Sequence, residues 1–302
     1  MNMSVSAAYL AVILIWSTTP LGIVWSSESV NPTLAVLFRM IIAVVLGVAI
    51  LRLRNIHLPW HKAALRLYIF SALGIYGGML FSYMAAATIS SGMMSLIFGL
   101  APIFSGIFSQ KFLSESKLTI MKKLSMTISL IGLTIVCWGS LSLDSNSQLG
   151  LVYILMAVIF FSLSGVLVKS VKISINPVAT TVGSLAVSLP MFTLTWFIFD
   201  GTLPFEQWQA RSLWAILYLG IFGSLLGFVA YFYILQKLNA STVALITMMT
   251  PVLAMSLGSL LNNEIISLNL VIGAAFVMSG LAIYNWGDKF IIQSKKRKKI
   301  QI

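Results

Sequence analysis

Arg39, in the stretch VLFRMIIAV, is the one charged residue set well inside an apolar segment of this sequence. Burying a guanidinium at membrane depth costs roughly 2.5–3.5 kcal/mol on insertion scales, so the group must face protein or water. Two roles fit it: a handle for an anionic group such as a carboxylate or phosphate, or an anchor for helix-end carbonyls or Glu28. A second cluster, Trp16-Ser17-Thr18-Thr19-Pro20, interrupts another apolar run. Pro20 frees the carbonyl of Trp16, which calls for a bent helix. The indole then stacks on a ligand in a cavity, or neighbouring hydroxyls satisfy the kink. Ser162, Ser164 and Gly165 stand at the matching place later in the chain. Tyr76, Leu80 and Tyr83 share one helical face with Met79 beside them, and Ser224, Phe228 and Tyr231 share another. Thr181, Ser184 and Ser188 form a hydroxyl stripe suited to interhelical bonding or to ligand contact. The expected recognition set is therefore Trp16, Tyr76, Tyr83 and Tyr231 for stacking, and Ser17, Ser95, Ser162, Ser184 and Thr247 for hydrogen bonds. Arg39 and Met79 complete it. This is binding chemistry. No nucleophile with its base, no carboxylate pair and no metal-ligand cluster lies in the apolar segments, so neither an enzyme nor a cofactor or metal is expected. Cys137 is the only cysteine, which leaves no disulfide framework and no zinc spacing.

The elements that position these residues are read from the hydropathy. Hydrophobic residues make up 59% of the 302, charged ones 9%, and the mean hydropathy is +0.99. That is the balance of a polytopic membrane protein. Ten apolar segments can be marked, at 6–26, 33–51, 67–88, 92–111, 120–140, 149–169, 178–199, 213–236, 241–261 and 268–286. Segments of about 20 residues cross a hydrocarbon core of about 30 Å. The first lacks a basic flank and a small-residue cleavage site, so it is expected to be a retained span. Placing the N-terminus inside puts seventeen of the nineteen basic residues on the cytoplasmic side and five of the seven acids outside. Both termini are thus expected in the cytoplasm, and the net charge of +12 reflects topology, not nucleic-acid binding. The terminal KKRKK suits contact with lipid headgroups.

The chain also repeats itself. APIFSGIFSQKFLSE (101–115) and TPVLAMSLGSLLNNE (250–264) each place a glutamate thirteen positions after a proline, at an offset of 149. Gly74 and Gly78 fall on Gly223 and Gly227 at that offset, while Asn31-Pro32 falls on Asn176-Pro177 and Ser17 on Ser162 at 145. The expected organisation is residues 1–140 as a first five-helix repeat, 141–286 as a second and 287–302 as a basic cytoplasmic tail. Five spans is an odd number, so the second repeat must be inverted, the arrangement that supports alternating access. Pro20, Pro102, Gly165 and Pro251 are the expected hinges. Glu115 and Glu264 lie just beyond helix ends, as latches or as partners for loop lysines.

Ten spans in five-plus-five halves, the arginine of VLFRMIIAV and the proline-to-glutamate spacing in the fourth and ninth spans resemble the drug/metabolite transporter superfamily, EamA type. FLSES at 112–116 departs from that family's usual Leu-Gly-Glu. The resemblance implies an all-α basket of ten helices as two inverted repeats. Spans 1–4 and 6–9 line a central cavity, with 5 and 10 at the periphery. It also implies a bacterial inner-membrane protein, monomer or homodimer, whose partners are membrane lipids and a small-molecule substrate. The expected function is transport of an amino acid or related metabolite, outward, by alternating access. The alternatives are a lipid or amphiphile flippase and a carrier of anionic metabolites of the nucleotide or sugar-phosphate type. With no acid or histidine in a span, exchange or facilitated transport is expected over proton coupling.

Overall fold

A computed structural model describes residues 4–113, 118–141, 145–238 and 246–300. The elements are α1 (Val5–Ser26), α2 (Pro32–Leu53), α3 (Lys62–Ala86), α4 (Ser91–Phe98), α5 (Ala101–Phe112), α6 (Ile120–Leu141), α7 (Ser145–Ser170) and α8 (Pro177–Phe199). After a short 3₁₀ turn, Phe205–Gln207, come α9 (Ala210–Tyr218), a π-helical segment (Leu219–Leu226), α10 (Gly227–Lys237), α11 (Ile246–Asn262) and α12 (Leu268–Ile300). Among the described residues there is no strand. Among the described residues, seven helical stretches are long and apolar enough to cross a membrane, α4 with α5 and α9 through α10 each counting as one, and Met249–Asn262 and Leu268–Tyr284 are shorter apolar helices. The chain is an integral, multi-pass membrane protein.

Local chemistry sets where helices begin. Asn31 caps α2, its Oδ1 accepting from the Thr33 amide at 3.0 Å, with Pro32 in the first turn. Asn176 and Pro177 open α8 the same way, with the Val178 amide at 2.9 Å. Capping an orphan amide while spending no donor on proline makes Asn-Pro an efficient helix start. The fourth apolar segment is not one bent helix, as the position of Pro102 suggested. It breaks at Gly99–Leu100, and Pro102 sits in the first turn of α5, where its missing N–H costs nothing. Pro20, Pro190 and Pro251 do lie inside helices.

Close packing depends on small residues. A Cβ on Gly74 would stand 2.5 Å from the Cβ of Ser164, so only glycine lets α3 lie this near α7. Gly132 and Gly273 do the same for α6 and α12, where a Cβ on either would meet the other's carbonyl oxygen at 2.7 Å. The strongest pairings are α6 with α12 and α3 with α7, followed by α8 with both α2 and α3; α1 packs on α9, α10 and α11. Glu115 and Asp144 lie outside the described residues.

Candidate functional site

A cavity of about 80 Å³ opens between α1, α2, α3, α4, α5, α7, the π segment, α10 and α11. Trp16, Pro20, Arg39, Met79 and Ser95 from the expected set line it, joined by Phe161 and Phe228. Its wall is mostly carbon, with a few hydroxyls from Thr19, Ser82, Ser95 and Thr250.

Arg39 is fully buried, and its surroundings explain how the fold holds it. Nε donates to Ser224 Oγ at 2.7 Å, and the Tyr83 ring lies 6.0 Å from Cζ. Among the described residues, Nη1 and Nη2 have no hydrogen-bond partner. Glu28, one of the anchors expected for this group, is instead paired with Arg211 at 3.4 Å. Room for the guanidinium comes from the π segment: a Cβ on Gly223 would meet Nη2 at 3.0 Å. Gly223 is the repeat mate of Gly74, but where Gly74 meets Ser164 of a packed helix, Gly223 meets the arginine. A π-helical turn widens the helix by one residue per turn and is often found at functional sites. It brings Gly220 against the Arg39 carbonyl and Ser224 against Nε.

At one side of the cavity aromatic rings crowd together. Trp16 meets Phe161 edge-on with centroids 5.7 Å apart and Tyr231 at 5.2 Å, and Phe98 lies 6.0 Å from Phe161. Beyond them a second cavity of about 20 Å³ is lined by Ser71, Gly165, Tyr231 and neighbours, and Phe161 and Phe228 face both spaces. At the other side, where α1 and α11 end and α4 and α9 begin, lies a polar network. Glu264 accepts from the Ser91 and Gly92 amides at 3.1 and 3.3 Å and from Ser91 Oγ at 2.9 Å. A carboxylate at a helix N-terminus satisfies orphan amides and complements the macrodipole. Among the described residues, Glu264 thus meets the start of α4 and not a loop lysine, one of the two roles expected of it. Asn262 Oδ1 accepts from Trp25 Nε1 at 2.8 Å and from Arg211 Nη2 at 3.0 Å, and Asn262 Nδ2 donates to Glu264 at 3.2 Å. Arg211 also stacks over Trp25 at 4.4 Å.

Several expected contact residues are turned elsewhere. Ser17 donates to the Ile13 carbonyl and Ser184 to that of Thr180, each within its own helix. Buried hydroxyls on a helix find that acceptor with no partner helix needed. Tyr76 bonds Thr195 at 2.6 Å between α3 and α8, and Ser162 donates to the Ala101 carbonyl at the break before α5. Tyr83 is buried against Ser26. Gly165 and Tyr231 belong to the smaller cavity, Pro102 and Pro251 to neither. The side chain of Thr247 lies outside the described residues. Phe161 was missed, although the offset of 145 that pairs Ser17 with Ser162 also pairs Trp16 with Phe161.

The model of the EamA-like transporter family matches residues 3–138 and again 148–286. The chain belongs to that family. Among similar proteins is the Bacillus subtilis protein named Uncharacterized transporter YoaV, 26% identical over 278 residues, covering 90% of this chain and 93% of its own. Protein PagO of Salmonella typhimurium is 26% identical over 260 residues, covering 85% and 84%. A solved structure superposes with a TM-score of 0.65 at 20% identity, over 94% of this chain and 98% of its own, which speaks for a shared fold. This EamA-family protein is a membrane transporter of a small-molecule substrate and not an enzyme.

Proposed function

We propose that this EamA-family chain carries a small metabolite with an apolar body through the bilayer by alternating access, as two inverted five-helix repeats making ten spans. The observation that carries the reading is the central cavity, placed between a polar network at one side and an aromatic cluster at the other. Opening either side alone would connect the cavity to one face of the membrane. The helix pairings support the repeat. Exchanging each element with its mate 145–149 positions away turns the α3–α7 contact into that of α1 with α9 and α10, and α5–α7 into α11–α1. The pairs α6–α12 and α2–α8 map onto themselves, as elements on a two-fold axis would.

The breaks fit the same reading. A helix interrupted at Gly99–Leu100 and one interrupted by the π segment flank the cavity, where irregular backbone is tolerated because it faces a passage. Amino acids or related compounds are the substrate class proposed, moved outward across a bacterial inner membrane with both termini in the cytoplasm. Apolar walls with a few hydroxyls suit such solutes.

Cysteine accessibility tests the mechanism. In a Cys137→Ala background, cysteines at Thr19, in the main cavity, and at Gly165, in the smaller one, are expected to react with a membrane-impermeant maleimide from opposite faces. Conditions that speed one reaction should slow the other. Labelling of both positions from the same face would overturn alternating access.

A further inference from the structure

Arg39 is a buried cation with no ion-pair partner among the described residues. Among the described residues lining the cavity it is the one charged group, and Glu28 and Glu264, two acids at the nearby helix ends, are committed to Arg211 and to the start of α4. Nε is held by Ser224, while Nη1 and Nη2 are unpartnered. A buried, unpaired guanidinium is costly unless something supplies the missing acceptors. Its fork of parallel N–H groups matches the two oxygens of a carboxylate.

Resting on the carrier reading above, we propose that the substrate is a monocarboxylate anion whose carboxylate takes Nη1 and Nη2 of Arg39 and whose apolar body lies against Trp16 and Phe161. The charge count narrows the class. One guanidinium balances one negative charge, so a phosphate monoester dianion would carry an unmet charge into an apolar chamber. No carboxylate among the described lining residues is present to hold an ammonium group, so within the class of amino acids and related compounds proposed above the simple carboxylate is favoured over the zwitterion of the same shape. Gly223 and Ser224 are the positioning residues: one leaves space beside Nη2, the other fixes Nε and thereby turns the fork.

The test is binding to the purified full-length chain in detergent, read by quenching of tryptophan fluorescence. Four probes of one shape are compared: phenylacetate, its uncharged counterpart phenylacetamide, zwitterionic phenylalanine and dianionic phenyl phosphate. On the wild type alone, phenylacetate is expected to bind at least about tenfold more tightly than the other three. Arg39→Gln should erase that preference and Arg39→Lys should restore part of it, with monodisperse elution of each variant as the folding control. Equal binding of phenylacetate and phenylacetamide by the wild type would overturn the proposal, and so would a folded Arg39→Gln that keeps the preference. Phenylalanine binding as tightly as phenylacetate would overturn the monoanion class. Counterflow in proteoliposomes separates this from the carrier reading. Arg39-dependent binding without counterflow of any carboxylate sinks the carrier and keeps the site. Counterflow of uncharged solutes that ignores Arg39→Gln sinks the site and keeps the carrier.

Discussion

Arg39 Nε donates to Ser224 Oγ across 2.7 Å, tying α2 to a residue 185 positions later that lies on the π-helical segment. The bond is buried, so its loss leaves an N–H without a partner. Ser224→Ala is expected to destabilise the protein by about 1–3 kcal/mol. The check is a lowered thermal midpoint in detergent, with Ser224→Thr retaining most of the wild-type value. An unchanged midpoint in Ser224→Ala would show that the bond does not hold the arginine.

Glycines at 74 and 223 should fail differently when given a methyl group. Gly74→Ala pushes a Cβ to 2.5 Å from Ser164 and forces α3 from α7, an overpacking expected to cost about 1–3 kcal/mol and to cut folded yield. Gly223→Ala meets Nη2, the end of a long side chain, at 3.0 Å. Yield there should stay near wild type while transport falls. Size-exclusion recovery and transport rate, measured together on both variants, separate the two; the same loss of yield in both would refute the distinction.

Glu264 holds the first amides of α4 and joins them through Asn262 to Trp25 and Arg211. Glu264→Ala removes four acceptor contacts and is expected to favour the state open on that side. A cysteine at Thr19 in the Cys137→Ala background should then react several-fold faster from that face. A rate equal to that of the parent would mean that the network does not gate the cavity.

Trp16 and Phe161 meet edge-on at 5.7 Å, a contact of about 0.5–1.5 kcal/mol beyond buried area. Trp16→Ala is expected to raise the half-saturating substrate concentration about tenfold, the larger part coming from lost ligand contact. Trp16→Phe should keep most of the affinity. A tight-binding alanine variant would remove the indole from the site.

Much of this was legible in the sequence, and the reasons differ by residue. The Asn-Pro starts of α2 and α8 are local, since a side-chain cap and a fixed φ need no tertiary partner. Arg39 was visible because charge at membrane depth must be housed. Gly74 showed itself through a spacing that only close helices need. Ser17 and Ser184 were harder: the hydroxyl of a buried serine can face a cavity or turn to its own helix, and periodicity does not separate the two. The π segment left no pattern in the sequence, because the extra residue per turn is fixed by the packing of Gly220 and Gly223 around Arg39. The break at Gly99–Leu100 was read as a bend at Pro102, since proline in a first turn and proline in mid-helix look alike until the start of α5 is known.

The most direct test of the account is counterflow of labelled solutes in proteoliposomes carrying the purified chain, run with and without a pH gradient. The expected result is saturable accumulation of label driven by unlabelled substrate on the far side, insensitive to the gradient, with no movement of protons. Equilibration with no transient accumulation would contradict a carrier that alternates between two faces. A flux that moves protons stoichiometrically would contradict a passage with no titratable acid or histidine in its spans.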